Sequence, residues 1–440
     1  MFLSRNSESI LRRLLRTTSS SHGQGNGEEK PPRVSGFRSL PAFRSFQFRD
    51  FRWLWWGTFM SFLAMMMHQI TRGWLVLRLT NDSPFALSLV VMAFALPLTF
   101  FSLLGGAFAD RFSRRKIVMG SQGGNAILTA LLATLDLTGA VAFWHLIVIG
   151  ILNGTLAAFN MPSRQSLISD IVPEQSVMNA VSLNSSGMNL TRVLGPALAG
   201  VLITFLSTSG VFYLIAMIYA LSVLFMAMID AGGRPLSMPA KSMTADIREG
   251  FRYALKDPNL LGLVIMGFVP ALFGFSYIGL LPAWGREVLD VQSDGLGLLM
   301  TVMGIGSLAG TLMLASLRRM GGRGLFLFID SVLWGICLLL FSFATSYVTA
   351  LPFLFFVGFT SSIFMALNMT LMQSYSSPEM RGRIVSMALM TFGIMPLSAA
   401  PFGAIAEKTG TPDSLALSGL LLCVFTVVFF FAYPKLRKVS

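Results

Sequence analysis

The chain has 440 residues, of which 54% are hydrophobic and only 12% are charged, and its net charge is +13. Soluble domains carry about 25% charged residues, so this composition excludes a soluble protein and indicates a chain that lies largely within a membrane. In such a protein a positive net charge reflects the placement of loops and is no evidence for nucleic-acid binding. Both cysteines fall within apolar runs, which argues against a disulfide framework.

The first 46 residues differ from the rest of the chain. They are basic, and the stretch 21–36 is poor in apolar residues, which predicts disorder. We interpret residues 1–46 as a mostly disordered cytoplasmic extension. The alternative is an organelle transit peptide, because residues 1–20 are rich in Arg and Ser and contain one acid, Glu8.

Twelve apolar segments follow, and a helix needs about 20 such residues to cross a bilayer. They cover 53–78, 84–108, 117–138, 141–161, 183–206, 211–229, 258–284, 296–317, 325–345, 348–372, 383–405 and 414–433. The sequence therefore predicts an all-α membrane protein with an N-terminal six-helix bundle at 47–230 and a C-terminal one at 258–440. The polar stretch between them, 231–257, is predicted to be a cytoplasmic linker with a short amphipathic helix at 247–255.

Basic residues are distributed unevenly between the two predicted membrane faces. With a cytoplasmic N-terminus, 28 of the 33 Lys and Arg residues lie on the cytoplasmic side, whereas Arg78, Arg286 and Lys408 lie outside. The positive-inside rule therefore predicts a multi-pass protein of the cell (inner) membrane with both termini in the cytoplasm. An organelle membrane is the alternative if the N-terminal extension is a transit peptide.

A weak internal repeat suggests two related halves. Pro173 recurs as Pro378 and Pro196 recurs as Pro401, each 205 residues later. Each pair occupies matching places, in the loop before and in the interior of the fifth and eleventh segments. Two six-helix halves in the same orientation are typical of a two-bundle transporter.

A dense charged cluster at 105–116 separates the second and third apolar segments. Charge of this density cannot lie in hydrocarbon, so it predicts a turn at a membrane face. The pattern Gly-x-x-x-Asp-Arg-x-x-Arg-Arg resembles the loop 2–3 signature of the major facilitator superfamily, and its residues here are Gly106, Asp110, Arg111, Arg114 and Arg115. The resemblance implies twelve transmembrane helices in two pseudo-symmetric six-helix bundles.

Three further segments resemble the branch of this superfamily that includes the enterobactin exporter and drug-efflux permeases. They are 161–173, 189–200 and the Arg381-Gly-Arg383 tripeptide. Within the second of them, Gly195-Pro196-x-x-x-Gly200 resembles a motif typical of exporters, and Arg192 precedes it by one turn. Small residues with a proline predict a closely packed, kink-prone helix, and the function is either ordinary packing or a barrier to proton leak.

The resemblance also implies a gate at the inner face. When the inner side of the superfamily fold is closed, the end of span two meets the start of span eleven, so Asp110 is expected to pair with Arg381 or Arg383. Arg114 is expected to pair with Asp170 near the end of span four. The alternative is that the basic residues of the cluster only fix topology. The predicted gate residues are Asp110, Arg111, Arg114, Arg115, Asp170, Arg381 and Arg383.

Ionisable and amide side chains are rare within the predicted spans, so each one is informative. His68 and Arg72 lie four residues apart on one helical face of span one, with Gln69 beside them. In the superfamily, spans one, four, seven and ten line the central cavity. The resemblance therefore implies a substrate cavity that includes His68, Gln69, Arg72, Asn153, Asn160, Tyr277 and Asn368. For the amides the alternative is interhelical hydrogen bonding that fixes packing.

A residue that couples transport to protons must be buried, titratable and accessible to each side in turn. Within the spans, His68 and Asp330 are the candidates. Span nine usually lies away from the cavity in this superfamily, which counts against Asp330.

The sequence thus predicts a secondary active transporter that exports a hydrophobic or amphipathic small molecule, drug-like or siderophore-like, by proton antiport. Uptake or uniport is the first alternative, and a non-transporting membrane sensor or assembly protein is the second. We expect no enzymatic activity, because no paired catalytic groups lie at one depth. Neither a metal nor another cofactor is expected, because the three histidines are scattered. The expected partners are the substrate, protons and membrane lipid, without nucleic acid, and we expect a monomer.

Overall fold

The apolar runs of the sequence form long helices, and the described residues contain no strand. The computed structural model describes residues 41–230, 257–316, 321–377 and 398–438, together with positions 252, 253 and 255. The predicted extension up to residue 40, most of the linker and the first part of the predicted eleventh span lie outside these ranges.

Six helices form the first half of the molecule. They are α1 (Arg49–Leu79), α2 (Pro84–Arg111), α3 (Arg114–Leu137), α4 (Phe143–Ile171) and the two arms of the helical stretch Glu174–Ala227, which we label α5 (174–206) and α6 (208–227). The two arms meet at Ser207, whose φ of 59° and ψ of 174° break the helical path. α4 is longer than expected, so Arg164, which the sequence placed in a loop, lies buried inside a helix.

The second half repeats the pattern. Its helices are α7 (Pro258–Phe273), α8 (Ser276–Leu289), α9 (Ser293–Ser316), α10 (Arg323–Ser342), α11 (Tyr347–Ser374), α12 (398–409) and α13 (Thr411–Ala432). α7 and α8 together form the predicted seventh span, and α12 is the described part of the predicted eleventh.

Length and composition allow eight of the described helical stretches to cross a membrane, with 174–227 counted once and α7 joined to α8. α1 and α3 are long enough but more polar. α1 carries His68, Gln69 and Arg72, and α3 carries Gln122 and Asn125. These polar groups lower the mean hydropathy of the two helices and mark them as facing something other than lipid.

Equivalent helices pack in equivalent ways in the two halves. α2 packs on α4 in the first half, and α9 packs on α11 in the second. In the same way α3 packs on α6, and α10 packs on α13. The closest approaches occur at small residues, with Gly154 against Phe94 and Gly358 against Met303. These pairings confirm the predicted all-α membrane fold with two pseudo-symmetric halves.

The first half begins slightly before the predicted boundary at residue 47. Residues Pro41–Gln47 form a 3-10 helix, and Ser45 within it is fully buried. The Ser45 N–H donates a hydrogen bond of 2.9 Å to the side-chain oxygen of Asn179 on α5. The end of the basic extension is therefore fixed against the first half.

Candidate functional site

The helix ends define two faces of the molecule. We call the one with the α2–α3 turn and the starts of α1 and α7 the Arg114 face. The opposite one, with the α1–α2 turn, the α3–α4 turn and the end of α8, is called the Arg286 face. A cavity of about 290 Å³ lies between the two halves.

The cavity wall has an uneven polarity. Its second-half side consists of Phe275, Ile278, Gly279 and Ala399, none of which has a polar side chain. Methionines and Phe94 supply apolar surface on the first-half side. Every polar side chain of the described lining comes from the first half, and these residues are His68, Gln69, Arg72, Asn125, Asn153 and Tyr219.

Four of the seven residues predicted to line the cavity do so, namely His68, Gln69, Arg72 and Asn153. The other three lie outside the described lining. Asn160 accepts a hydrogen bond of 2.7 Å from the Arg164 guanidinium, and Tyr277 is buried in the second half. Asn368 is buried in α11 beside the sulfur of Met372.

The resemblance implied that spans one, four, seven and ten line the cavity. In the structure a different set of helices contributes the lining residues. α11, the tenth span, contributes no residue to the described lining, whereas α2 contributes Val91, Phe94 and Leu98. Asn125 of α3 and Tyr219 of α6 also line the cavity. Asn125 could have been predicted in the same way as Asn153, since both are isolated amides in apolar helices. Tyr219 carries no comparable signal in the sequence.

Arg72 brings a positive charge to the cavity wall. Its side chain is only 8% exposed, and its guanidinium carbon lies 5.6 Å from the centre of the Phe94 ring. Arg164, also buried, lies 5.0 Å from the centre of the Phe62 ring. The phenol of Tyr219 interacts electrostatically with both guanidinium groups. Three buried polar groups of the first half therefore form one cluster beside the cavity.

The two candidates for proton coupling lie in different surroundings. His68 lines the cavity, its ring lies 5.5 Å from that of Phe212, and its Nε2 atom has no hydrogen-bond partner among the described residues. Asp330 is buried in α10, outside the described lining, next to the contact between Ser331 and Thr426 of α13. Of the two candidates, only His68 lines the cavity.

The charged cluster at the Arg114 face is described in part. Arg114 is 5% exposed and donates to both carboxylate oxygens of Asp170, at 2.7 and 2.8 Å. Arg115 donates to the backbone oxygens of Met226 and Ala227, at 3.1 and 2.5 Å, and so caps the end of α6.

These contacts lie within the first half. The contact expected between Asp110 and span eleven falls outside the described residues. Arg111 is exposed at the end of α2. Asp110 lies in the last turn of α2, and its side chain, like residues Arg381 and Arg383, is outside what the structure describes.

The Arg286 face carries polar contacts that join the halves. The carboxylate of Glu407 on α12 accepts hydrogen bonds from Ser83 Oγ, at 2.8 Å, and from the backbone N–H of Phe85, at 3.2 Å. Arg286 on α8 lies 3.4 Å from the carboxylate of Asp82 and 5.5 Å from the centre of the Trp74 ring. We call these contacts the outer latch. They join the two halves at the Arg286 face.

The exporter-type motif of α5 lies at a close contact between the halves. A Cβ atom on Gly200 would lie 2.7 Å from the backbone oxygen of Ser293 and 2.8 Å from the Cα of Gly297, both on α9. Gly195 packs against Met66 of α1. Pro196 contributes its backbone oxygen to the same contact, and Arg192 is exposed one turn earlier. The small residues thus let α5 and α9 meet without intervening side chains.

Comparison with known proteins identifies relatives over almost the whole chain. The family described as transmembrane secretion effector matches residues 41–439. The staphyloferrin A transporter of Staphylococcus aureus is 27% identical over 391 residues, which cover 87% of this chain and 96% of the relative. The multidrug efflux pump Tap of Mycolicibacterium fortuitum is also 27% identical, over 83% of this chain and 91% of its own.

More distant similarity extends to the enterobactin exporter of Shigella flexneri, which is 23% identical over 76% of this chain and 80% of its own. Among solved structures, a bacterial homologue of the human lysosomal transporter Spinster superposes with a TM-score of 0.69 at 16% identity. That alignment covers 91% of this chain and 99% of the homologue, and it shows a shared fold.

Proposed function

The chain belongs to the transmembrane secretion effector family of the major facilitator superfamily, and from that membership we propose that it exports a hydrophobic or amphipathic small molecule by alternating access. It is a membrane transporter and not an enzyme. The observation that carries the proposal is the cavity between the two halves, which the outer latch joins at the Arg286 face.

The composition of the wall supports a bulky and partly apolar cargo. Met65, Met66 and Met161 line the cavity together with Phe94 and Phe275. Methionine side chains adapt to differently shaped ligands, and aromatic walls favour apolar ones. Two relatives, a multidrug efflux pump and an enterobactin exporter, supply the direction of the proposed transport.

We assign the Arg114 face to the cytoplasm of a cell, in its inner membrane, because most of the described basic residues outside the spans lie at that face. With the halves joined at the Arg286 face, we take the state described here to be closed to the outside. In the opposite state the outer latch opens, and the predicted inner gate closes by pairing Asp110 with Arg381 or Arg383. Under this proposal the ion pair of Arg114 with Asp170 persists in both states, because it lies within one half.

Coupling to protons is proposed to occur at His68. It is the titratable imidazole of the cavity wall, and its Nε2 atom has no hydrogen-bond partner among the described residues. Its effect depends on the charge of the cargo. A proton on His68 repels a cationic cargo, which gives the antiport expected from the sequence, and attracts an anionic one.

A flux assay tests this function. Purified protein is placed in liposomes with an imposed pH gradient and a pH-sensitive dye inside, and lipophilic cations, macrolides and catechol siderophores are added in turn. We expect a proton flux that depends on one class of compound, survives in Asp330→Asn and disappears in His68→Gln. A flux that persists in His68→Gln but is lost in Asp330→Asn would move the coupling site to α10. Folded protein that transports none of the compounds would favour a non-transporting role.

A further inference from the structure

The most unusual group in the cavity wall is a positive charge with no counter-charge. The Arg72 side chain is more than nine-tenths buried and lines the cavity. Among the described residues, no hydrogen bond or ion pair engages its guanidinium, which only stacks near Phe94. A buried, unpaired charge is strongly unfavourable, so such residues usually mark a functional site.

The described part of the chain contains no ion pair between Arg72 and an acidic side chain. Asp136 is engaged by Arg78 and Thr208 at the Arg286 face, and Asp170 is engaged by Arg114. The segment 378–397, which the structure does not describe, contains one acid, Glu379, near its beginning. The missing partner of Arg72 is therefore best sought in the cargo.

We propose that Arg72 binds an anionic group, of carboxylate type, on the transported molecule, so that the cavity selects anionic amphiphiles. This inference rests on the proposed transport function and names its substrate class. A guanidinium presents a planar set of N–H donors that matches the two oxygens of a carboxylate. The guanidinium makes a cation–π contact with the ring of Phe94. This contact uses none of its N–H donors in a conventional hydrogen bond.

The surroundings of Arg72 suit the same group. Gln69, Asn125 and Asn153 line the cavity and carry amide N–H donors. Arg164 lies within electrostatic reach of Tyr219, which lines the cavity, and so adds a second positive charge near the site. The opposite wall, with Phe275, Ile278 and Ala399, is apolar. The cavity thus orients a cargo with its anionic end toward the first half and its apolar end toward the second.

The charge of the cargo decides whether a proton on His68 strengthens or weakens cargo binding. His68 lies one helical turn from Arg72 in the same cavity wall. A bound anion and a proton on His68 stabilise each other, so binding of the anion favours protonation of that histidine. A cargo with two or more negative charges remains negative with one proton bound. An inside-negative membrane potential then favours its export.

The test uses three probes that share one skeleton and differ in charge. They are 4-phenylbutanoate, its uncharged amide and 4-phenylbutylamine, each titrated calorimetrically into the purified full chain. We expect the carboxylate to bind at least tenfold more tightly than the amide, with the amine weakest. This comparison uses the unmodified protein and does not depend on any variant folding. Equal binding of carboxylate and amide, or a preference for the amine, would overturn the proposal.

Variants assign the selectivity to Arg72. We expect Arg72→Gln to lose at least tenfold in affinity for the carboxylate and little for the amide, while Arg72→Lys retains part of the selectivity. Lys435→Gln, which removes one exposed positive charge, is the control for net charge and should bind like the unmodified protein. Folded Arg72→Gln with unchanged selectivity would refute the assignment. If a cation from the flux panel is exported while the carboxylate is not bound, the export function stands and this inference fails.

Discussion

The two faces of the molecule use charge in opposite ways. At the Arg114 face the charged residues are dense, and the described contacts of Arg114 and Arg115 hold the helices of the first half to one another. At the Arg286 face charges are sparse, yet Glu407, Arg286 and Asp82 connect one half to the other. The density of charged residues in the sequence therefore does not reveal which contacts join the two halves.

Burial explains why the two sets suit different roles. The Arg114 side chain is 5% exposed in its ion pair, whereas that of Arg286 is 27% exposed and lies 3.4 Å from its partner. Loss of one partner from a buried pair costs about 3–5 kcal/mol, whereas exposed pairs contribute about 0–1 kcal/mol. Contacts that must break in each transport cycle have to be weak, and contacts that keep a half rigid do not. The following predictions test this contrast.

The largest effect is expected where the pair of Arg114 and Asp170 is broken. Asp170→Asn removes a carboxylate that accepts two charge-assisted hydrogen bonds from the buried Arg114 guanidinium, so we expect the free energy of unfolding to fall by about 3 kcal/mol. Thermal or denaturant unfolding of the purified protein measures the change. Asp230→Asn breaks the exposed pair with Arg49 and is the matched control, with an expected loss below about 1 kcal/mol. Similar losses in the two variants would mean that burial does not decide how much an ion pair contributes to stability.

The next effect concerns the contact of α5 with α9. In Gly200→Ala the new methyl group meets backbone atoms within 3 Å, so the two halves must shift at a cost of about 1–3 kcal/mol. We expect slower transport in the liposome assay together with lower stability. In Gly123→Ala of α3 the new methyl group meets nothing within 4 Å, and transport should be unchanged. Equal transport by both variants would mean that close approach of α5 and α9 is not needed.

A smaller effect is expected at the outer latch. Glu407→Gln replaces charge-assisted hydrogen bonds by neutral ones, so we expect the outward-open population to rise by up to about tenfold. Labelling of Ala95→Cys in the cavity by an impermeant thiol reagent added at the Arg286 face reports this population. Cys337 and Cys423 are replaced by serine beforehand.

A second glutamate provides the control for this experiment. Glu287 accepts hydrogen bonds from the N–H and the hydroxyl of Thr411, at 2.9 and 2.6 Å, within the second half. Glu287→Gln weakens the cap of a helix without touching the contact between the halves. It should leave the labelling rate unchanged, and equal acceleration in both variants would argue against a latch at Glu407.

The smallest effect is expected from Arg286→Gln. The pair with Asp82 is partly exposed, and the nearby Trp74 ring adds a weak cation–π contact. We expect a change of less than about 1 kcal/mol in the balance between states, seen as less than about a fivefold change in the same labelling rate. An effect larger than that of Glu407→Gln would reverse the order of contributions proposed for the latch.

The sequence predicted the helices well because apolar runs of membrane length permit few alternatives. It also identified His68 and Arg72, since polar groups within such runs are rare. It misplaced Arg164, because a basic residue near the end of an apolar run looks like a loop residue. The latch was not predicted at all. Ser83 and Glu407 are 324 residues apart, and neither residue type is unusual at a membrane face.

The central claim is that the two faces open alternately. We would measure spin-label distances in lipid for two pairs of exposed sites, Leu137 with Val348 at the Arg286 face and Phe112 with Leu325 at the Arg114 face. Each pair joins the two halves. In Glu407→Gln the account predicts a longer distance at the Arg286 face and a shorter one at the Arg114 face. Distances that change in the same direction, or that stay fixed at both faces, would contradict alternating access.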